Sequence, residues 1–188
     1  MARDDAENAN GLTIVVTGAE SAGKTTLAEA IAGALGVPWV PEHARAYLEN
    51  RASYEPADLL AIAAAQEAAE TAAALWAPVI VADTDQLVIR IWSDVRYGAV
   101  DAAIDAAIRR ALAARRRRLY LVPRPDIPWQ PDRLREHPTS RDALHRMHLS
   151  LLGELGVDHV ELVGAREERL ERALAEIARR TGFTRPAR

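Results

Sequence analysis

The 188-residue sequence contains no cysteine. Disulfide frameworks, thiolate metal sites and cysteine nucleophiles are excluded together. Lysine is nearly absent as well: 23 of the 24 basic residues are arginine, and Lys24 is the one exception. Aromatic residues make up only 5 %. No run of about 18 apolar residues is present to span a bilayer, and the acidic, polar start MARDDAENANG has neither the charge nor the apolar stretch of a secretory signal. A cationic surplus is missing too, because 24 Lys+Arg against 27 Asp+Glu leaves a formal net charge of −3. Nucleic-acid binders usually need that surplus to displace counterions from phosphates. Together these deficits predict a cytoplasmic protein with no nucleic-acid partner and no membrane partner.

What is present suits one globular domain, with 49 % hydrophobic and 27 % charged residues. In a chain that writes almost every basic position as arginine, Lys24 marks a place that needs a compact ammonium on a flexible stem. The short basic run Arg115 to Arg118 reads as a helix C-terminus, where cations complement the helix dipole.

After the leader, Thr13 to Thr17 is a β-branched run that stops at Gly18, and a helical pattern follows from Lys24 to Leu35. Val37 to Val40 is a second short strand that ends at Pro41-Glu42. A short helix around Ala44 to Leu48 precedes a long Ala-rich helix that Pro56 opens and that runs to about Trp76, with Leu59, Ile62, Ala63, Gln66 and Ala73 on one face. Pro78 to Ala82 reads as a buried strand, Gln86 to Val95 and Val100 to Ala114 as helices, and Leu119 to Val122 as a fourth strand. From Arg115 to Asp142 there is no alanine, and five of the ten prolines fall between Pro123 and Pro138. That stretch, about 123–141, is expected to be a specialised, lid-like loop. A helix from about Arg141 to Leu155, a strand at His159 to Val163 and a helix from Glu167 to Thr181 follow. The order predicts an α/β fold, a three-layer sandwich around a mainly parallel five-stranded sheet. It also predicts a flexible leader at 1–11, one domain at 12–182 and a flexible tail at 183–188.

Gly18-Ala19-Glu20-Ser21-Ala22-Gly23-Lys24-Thr25 fits the GxxxxGK[ST] pattern and lies between a strand and a helix, the context this P-loop pattern requires. Its glycines let backbone N–H groups face a phosphate chain, and the helix N-terminus adds positive potential. Lys24 reaches the β/γ-phosphates, and Thr25, followed by Thr26, is placed to hold Mg²⁺. The expected ligands are therefore ATP and Mg²⁺. A guanine-reading NKxD motif is impossible with the one lysine already assigned, and the short chain favours a small-molecule kinase over a motor.

Acids beyond strand ends are the next candidates, because ligands gather at the carboxyl edge of open α/β sheets. Asp83 and Asp85 follow the third strand. One is expected near Mg²⁺, with Asp83 the assigned ligand, and the other at the acceptor hydroxyl or in loop structure; a helix cap is the plain alternative for one of them. Glu42 is placed to accept a hydrogen bond from an acceptor alcohol and orient it for in-line attack. Arg45 is either a phosphate clamp in the same cleft or an exposed i,i+3 partner of Glu42.

GAESAGKTTL, PEHARAYL, a strand followed by DTD, and DIPWQPDRLR before a helix and a terminal GxxxxR segment occur here in order. Together they resemble the ribosylnicotinamide kinase domain of the bacterial NadR family over roughly residues 12–180. The resemblance implies ATP-dependent phosphorylation of nicotinamide riboside on its 5′-hydroxyl, giving nicotinamide mononucleotide for NAD salvage. No (H/T)xGH nucleotidyl-transfer motif is present, so the kinase step alone is expected. The family commonly has Tyr and Gly where this chain has His43 and Ala44.

In the lid-like loop, Arg133 and Arg135 are suited to close over a triphosphate, and the resemblance puts the DIPW segment near the substrate. Trp129 is the expected face for a cationic nicotinamide ring, with Trp39, Tyr47, Trp92 or Tyr97 as further candidates; ordinary core packing is the plainer expectation for Trp39, Trp76 and Trp92. Gln66 is either an interior amide or a polar substrate contact, and His145 and His148 are expected on a solvated helix. Two other functions fit the same sequence: another small nucleoside or nucleotide kinase, and a regulatory module that binds ATP without phosphorylating a small molecule.

Overall fold

A computed structural model describes residues 11–129 and 140–185. Five strands, β1 (Leu12–Val16), β2 (Trp39–Val40), β3 (Val79–Asp83), β4 (Arg117–Pro123) and β5 (His159–Leu162), form one sheet in the order β2-β3-β1-β4-β5. All pairings are parallel, with Val16 level with Asp83 on one side and Leu121 on the other. Seven helices flank them among the described residues: α1 (Lys24–Leu35), α2 (His43–Leu48), α3 (Pro56–Ala74), α4 (Gln86–Tyr97), α5 (Ala102–Ala113), α6 (Arg141–Glu154) and α7 (Arg166–Thr181).

Strands β1 and β3 are buried along their whole length, as expected for strands covered on both faces. Alternate side chains serve two cores. Ile14, Val16, Val81, Leu119 and Leu121 pack with Leu27 and Ile31 of α1 and Ala173 and Ile177 of α7. Val15, Ile80, Ala82, Tyr120 and Val122 pack on the other face with side chains of α2, α3, α4, α5 and α6. The three-layer α/β expectation is met.

Helix α3 buries Leu59, Ile62, Ala63, Gln66 and Glu70, an i, i+3, i+4, i+7, i+11 stripe. Pro56 opens it, and the Asp58 carboxylate accepts the N–H of Glu55 at 2.8 Å. No helix among the described residues is long and apolar enough to cross a membrane.

Two surface expectations fail. The basic run does not end a helix: α5 stops at Ala113 and Arg117 opens β4. Arg116 turns back to donate to the Thr13 hydroxyl at 2.9 Å and the Leu12 carbonyl at 3.0 Å. Arg118 goes inward, where a sheet face leaves room only for a paired cation. His145 and His148 are not solvated either; both are buried against the sheet side of α6.

Candidate functional site

The chain reverses its direction across the sheet beside β1, and the loops leaving the carboxyl ends of the strands converge there. They surround a cavity of about 290 Å³. Its floor is the loop after β1: Gly18 to Thr26 all line it. Gly18 (φ 138°) and Gly23 (φ 80°) hold backbone that L side chains rarely adopt, and Ser21 also has positive φ at 53°. A Cβ on Gly23 would press against Ile127 at 3.4 Å. Helix α1 starts at Lys24 with no side-chain cap and no acid in its first turn, which leaves its N–H groups and dipole for an anion. The Lys24 ammonium rests on the carbonyl of Ala19 at 3.0 Å.

Glu42, at the N-cap position of α2, and Arg45, one turn on, line the same cavity. Asp83 lies behind this wall with 0 % exposure, and neither of its carboxylate oxygens has a hydrogen-bond partner among the described residues. Burial, and then the negative charge of Glu42, push its pKa up to about 6 against the pull of the Thr25 hydroxyl, Lys24 and Arg45. A carboxylate this deep, with the Thr25 hydroxyl near it but outside hydrogen-bond geometry, asks for a cation or a proton.

Asp85 is a correction to the expectation of a catalytic or substrate-binding acid. It is outside the cavity wall and buried. One oxygen caps α4 by accepting the N–H of Leu87 at 3.0 Å. The other accepts the Tyr120 hydroxyl at 2.9 Å and faces Arg118 at 3.3 Å. Arg118, its side chain 12 % exposed, also meets Glu70 at 2.6 Å. Burial opposes the Arg118 charge, yet Glu70 and Asp85 hold its pKa above the ordinary value. Burial pushes Glu70 up to about 7. Both oxygens of Asp85 are thus engaged within the protein, one of them as the expected helix cap.

Gln66 is the interior amide of its two alternatives. Its Oε1 accepts the N–H of His43 at 3.0 Å and its Nε2 donates to the carbonyl of Thr84 at 3.4 Å. Thr84 has φ 69°. One buried side chain therefore ties the start of α2, beside Glu42, to the turn that follows Asp83.

The other half of the wall comes from helices that the sequence marked as helices but not as cavity lining. Val88, Ile91, Trp92 and Val95 of α4 give it an apolar side. Trp92 is half-buried there and donates from its indole N–H to the Tyr54 hydroxyl at 2.6 Å, with the two rings edge to face at 5.0 Å. Trp92 packs against the core, as expected, and also faces the cavity; Trp76, expected in the core as well, is 88 % exposed. Trp129 is not on the wall: the Arg141 guanidinium lies 5.6 Å from its ring centre, so a cation already occupies that face. Arg133 and Arg135 lie outside the described residues. Arg166, Arg169 and His148 complete the wall. Arg169 ends the Gly164-to-Arg169 segment, whose spacing was visible in the sequence but whose partners were not.

Residues 13–169 match the AAA domain family. No curated protein matches the chain by sequence. Among solved structures, a NadR protein in complex with NR aligns over 98 % of this chain and 55 % of that one, at 20 % identity and a TM-score of 0.76. A NadR protein in complex with NAD and AMP-PNP gives 0.74 at 20 % identity, over 98 % of this chain and 54 % of that one. The chain spans about half the length of these NadR structures. A thymidylate kinase from Ehrlichia chaffeensis gives 0.68 at 10 % identity, over 89 % of this chain and 99 % of that one. These likenesses agree with the α/β fold.

Proposed function

On the premise that the chain belongs to the AAA domain family, which its residues 13–169 match, we propose that it is a kinase that moves the γ-phosphoryl group of ATP to the 5′-hydroxyl of nicotinamide riboside. The observation that carries this reading is the composition of one cavity. A phosphate-binding floor, Gly18 to Thr25, meets a carboxylate, Glu42, and an apolar aromatic wall at Trp92 within a single space. A triphosphate suits the floor, a cationic aromatic base suits the indole face on the wall, and the sugar hydroxyl between them falls beside Glu42. The structural likeness to NadR in complex with NR and with AMP-PNP supports the same pair of ligands.

In this scheme the loop N–H groups and Lys24 bind the phosphate chain and neutralise charge that grows in the transition state. Glu42 accepts the hydrogen bond of the attacking hydroxyl and orients it in line; Arg45, from the same helix, clamps the phosphates. The oxygen donors of Thr25 and the unpartnered carboxylate of Asp83 fit Mg²⁺, which prefers hard ligands and keeps several waters. Bound there, Mg²⁺ supplies charge compensation to the phosphates. Gln66 keeps Glu42 and Asp83 in register without touching the ligands. The reaction belongs in the cytoplasm, where ATP is abundant.

The test is a panel of nucleosides with ATP and Mg²⁺, read by chromatography of the products. Nicotinamide riboside is expected to give nicotinamide mononucleotide with the highest kcat/KM. A preference for a neutral nucleoside such as uridine would move the chain to another small nucleoside kinase, and ATP binding with no phosphorylated acceptor would make it a regulatory module.

A further inference from the structure

Helix α6 brings to the cavity a side chain that the phosphoryl-transfer scheme does not use. His148 lines the wall and is 4 % exposed. Its Nδ1 lies 2.8 Å from the carbonyl oxygen of Leu144, one turn earlier. A carbonyl can only accept, so Nδ1 carries the proton and Nε2 keeps a bare lone pair. That Nε2 is buried and has no hydrogen-bond partner among the described residues. Burial, helped by the Lys24 charge, lowers the His148 pKa to about 4, which keeps the ring neutral at neutral pH.

A buried acceptor without a donor is uncommon enough to require a reason. A phosphate oxygen does not supply one, since it would set lone pair against lone pair. The surroundings point to a hydroxyl. Lys24 is close enough for its charge to act on the ring, and Leu144, Ile91 and Trp92 form the apolar wall on the other side. His148 thus stands where the phosphate floor passes into the apolar side, and a nucleoside that spans the two puts its sugar at this junction.

We infer that His148 is a specificity-determining residue whose Nε2 accepts a hydrogen bond from a 2′- or 3′-hydroxyl of the acceptor's sugar. The inference rests on the nucleoside-kinase reading. It assigns the choice of a ribose over a deoxyribose to one neutral imidazole.

Nicotinamide riboside and its 2′-deoxy and 3′-deoxy analogues serve as probes against wild type, His148→Leu and His148→Gln. Each is measured by kcat/KM and by calorimetric affinity in the presence of a non-hydrolysable ATP analogue. Wild type is expected to lose about 3-fold to 10-fold on one deoxy analogue, the usual worth of one neutral hydrogen bond. In His148→Leu the riboside and that analogue converge to within about 2-fold, His148→Gln retains part of the discrimination, and KM for ATP stays unchanged in both. Discrimination that persists undiminished in His148→Leu overturns the inference, as does its absence from wild type. Should the leucine variant fail to fold, nitrogen NMR of wild-type histidines decides: the unprotonated Nε2 signal of His148 must move when the riboside binds, and a stationary signal overturns the inference. Riboside binding that moves the signal without product formation sinks the transfer reaction and leaves His148 its role. Product formation with a stationary signal does the reverse, and no riboside binding at all overturns both.

Discussion

Arg169 donates from Nη1 to the carbonyl oxygen of Ala22 at 2.8 Å, across 147 positions of chain. Its Nη2 donates to the carbonyl of Arg124 at 2.9 Å and to the carboxylate of Asp126. Asp126 in turn accepts the N–H of Gly164 at 3.0 Å. One buried guanidinium therefore fastens the phosphate loop to the segments that leave β4 and β5. Its fork geometry explains why a lysine would serve poorly here.

Removing that fork leaves two carbonyls and a carboxylate without their donor. Arg169→Leu is expected to lose about 2–4 kcal/mol of stability in chemical denaturation. Its affinity for an ATP analogue should fall about 10-fold or more, with a smaller change for the acceptor. Arg169→Lys should fall between. Unchanged stability in the leucine variant would show that the loop holds its shape by itself.

Asp83 and Asp85 should separate function from framework. The Asp83 pKa of about 6 lies above its ordinary 3.8, so between those values the folded protein binds a proton that the unfolded chain has released. The stability this proton contributes is complete below about pH 3.8 and is lost as pH rises through about 6. Above that, the buried charge opposes folding by up to about 3 kcal/mol. Asp83→Asn should then be more stable than wild type by about 1–3 kcal/mol at pH 7.5 and not at pH 4, while turnover drops about 100-fold or more. Asp85→Asn should instead lose about 2–4 kcal/mol, because it removes one of the two carboxylates that face the buried Arg118 and leaves Glu70 to compensate it alone, and keep the turnover of whatever fraction folds. Urea denaturation at both pH values, beside steady-state kinetics, checks the pair.

For Lys24→Met the expectation is a loss of about 100-fold or more in kcat with an almost unchanged thermal midpoint. Among the described residues the ammonium donates to the carbonyl of Ala19 alone, and in the proposed reaction its other donors meet the phosphates. Near-normal turnover would remove the loop from the mechanism.

Trp92→Ala is expected to cost nicotinamide riboside about 2-fold to 30-fold in kcat/KM, the span of a cation held over an indole face. Uridine should lose less. Trp129→Ala should change the two acceptors alike, because its ring already faces Arg141. Equal losses for both acceptors in Trp92→Ala would reduce that residue to packing.

The strand-loop-helix at Gly18 to Lys24 was readable from sequence because its chemistry is local: the glycines set the backbone, the helix start follows at once, and the phosphate contacts are made by adjacent residues. The strands were readable for a similar reason, since β-branched runs buried on both faces look alike in any parallel sheet. Periodicity also marked α3, including Gln66, but not what its amide would touch; His43 and Thr84 reach it only through the fold.

The two acids after β3 show where sequence stops. Asp83 and Asp85 stand two residues apart, with the same side chain and the same strand before them. The positive φ of Thr84 between them and the arrival of Arg118 and Tyr120 from β4 give them opposite surroundings. Asp83 is left without a donor beside the phosphate loop, while Asp85 is enclosed by a cation, a hydroxyl and a helix N-terminus. Likewise Trp92, His148 and Arg169 reach the cavity from three helices, and each looked like core, surface or motif end in its own segment. Local sequence determined the phosphate floor, the order of the strands and the buried faces of the helices, because neighbours along the chain specify them. Which side chains wall the cavity, and which acid is left beside the phosphate loop, was decided by tertiary packing, because those partners lie far apart in sequence and meet only once the parallel sheet has brought its carboxyl edges together.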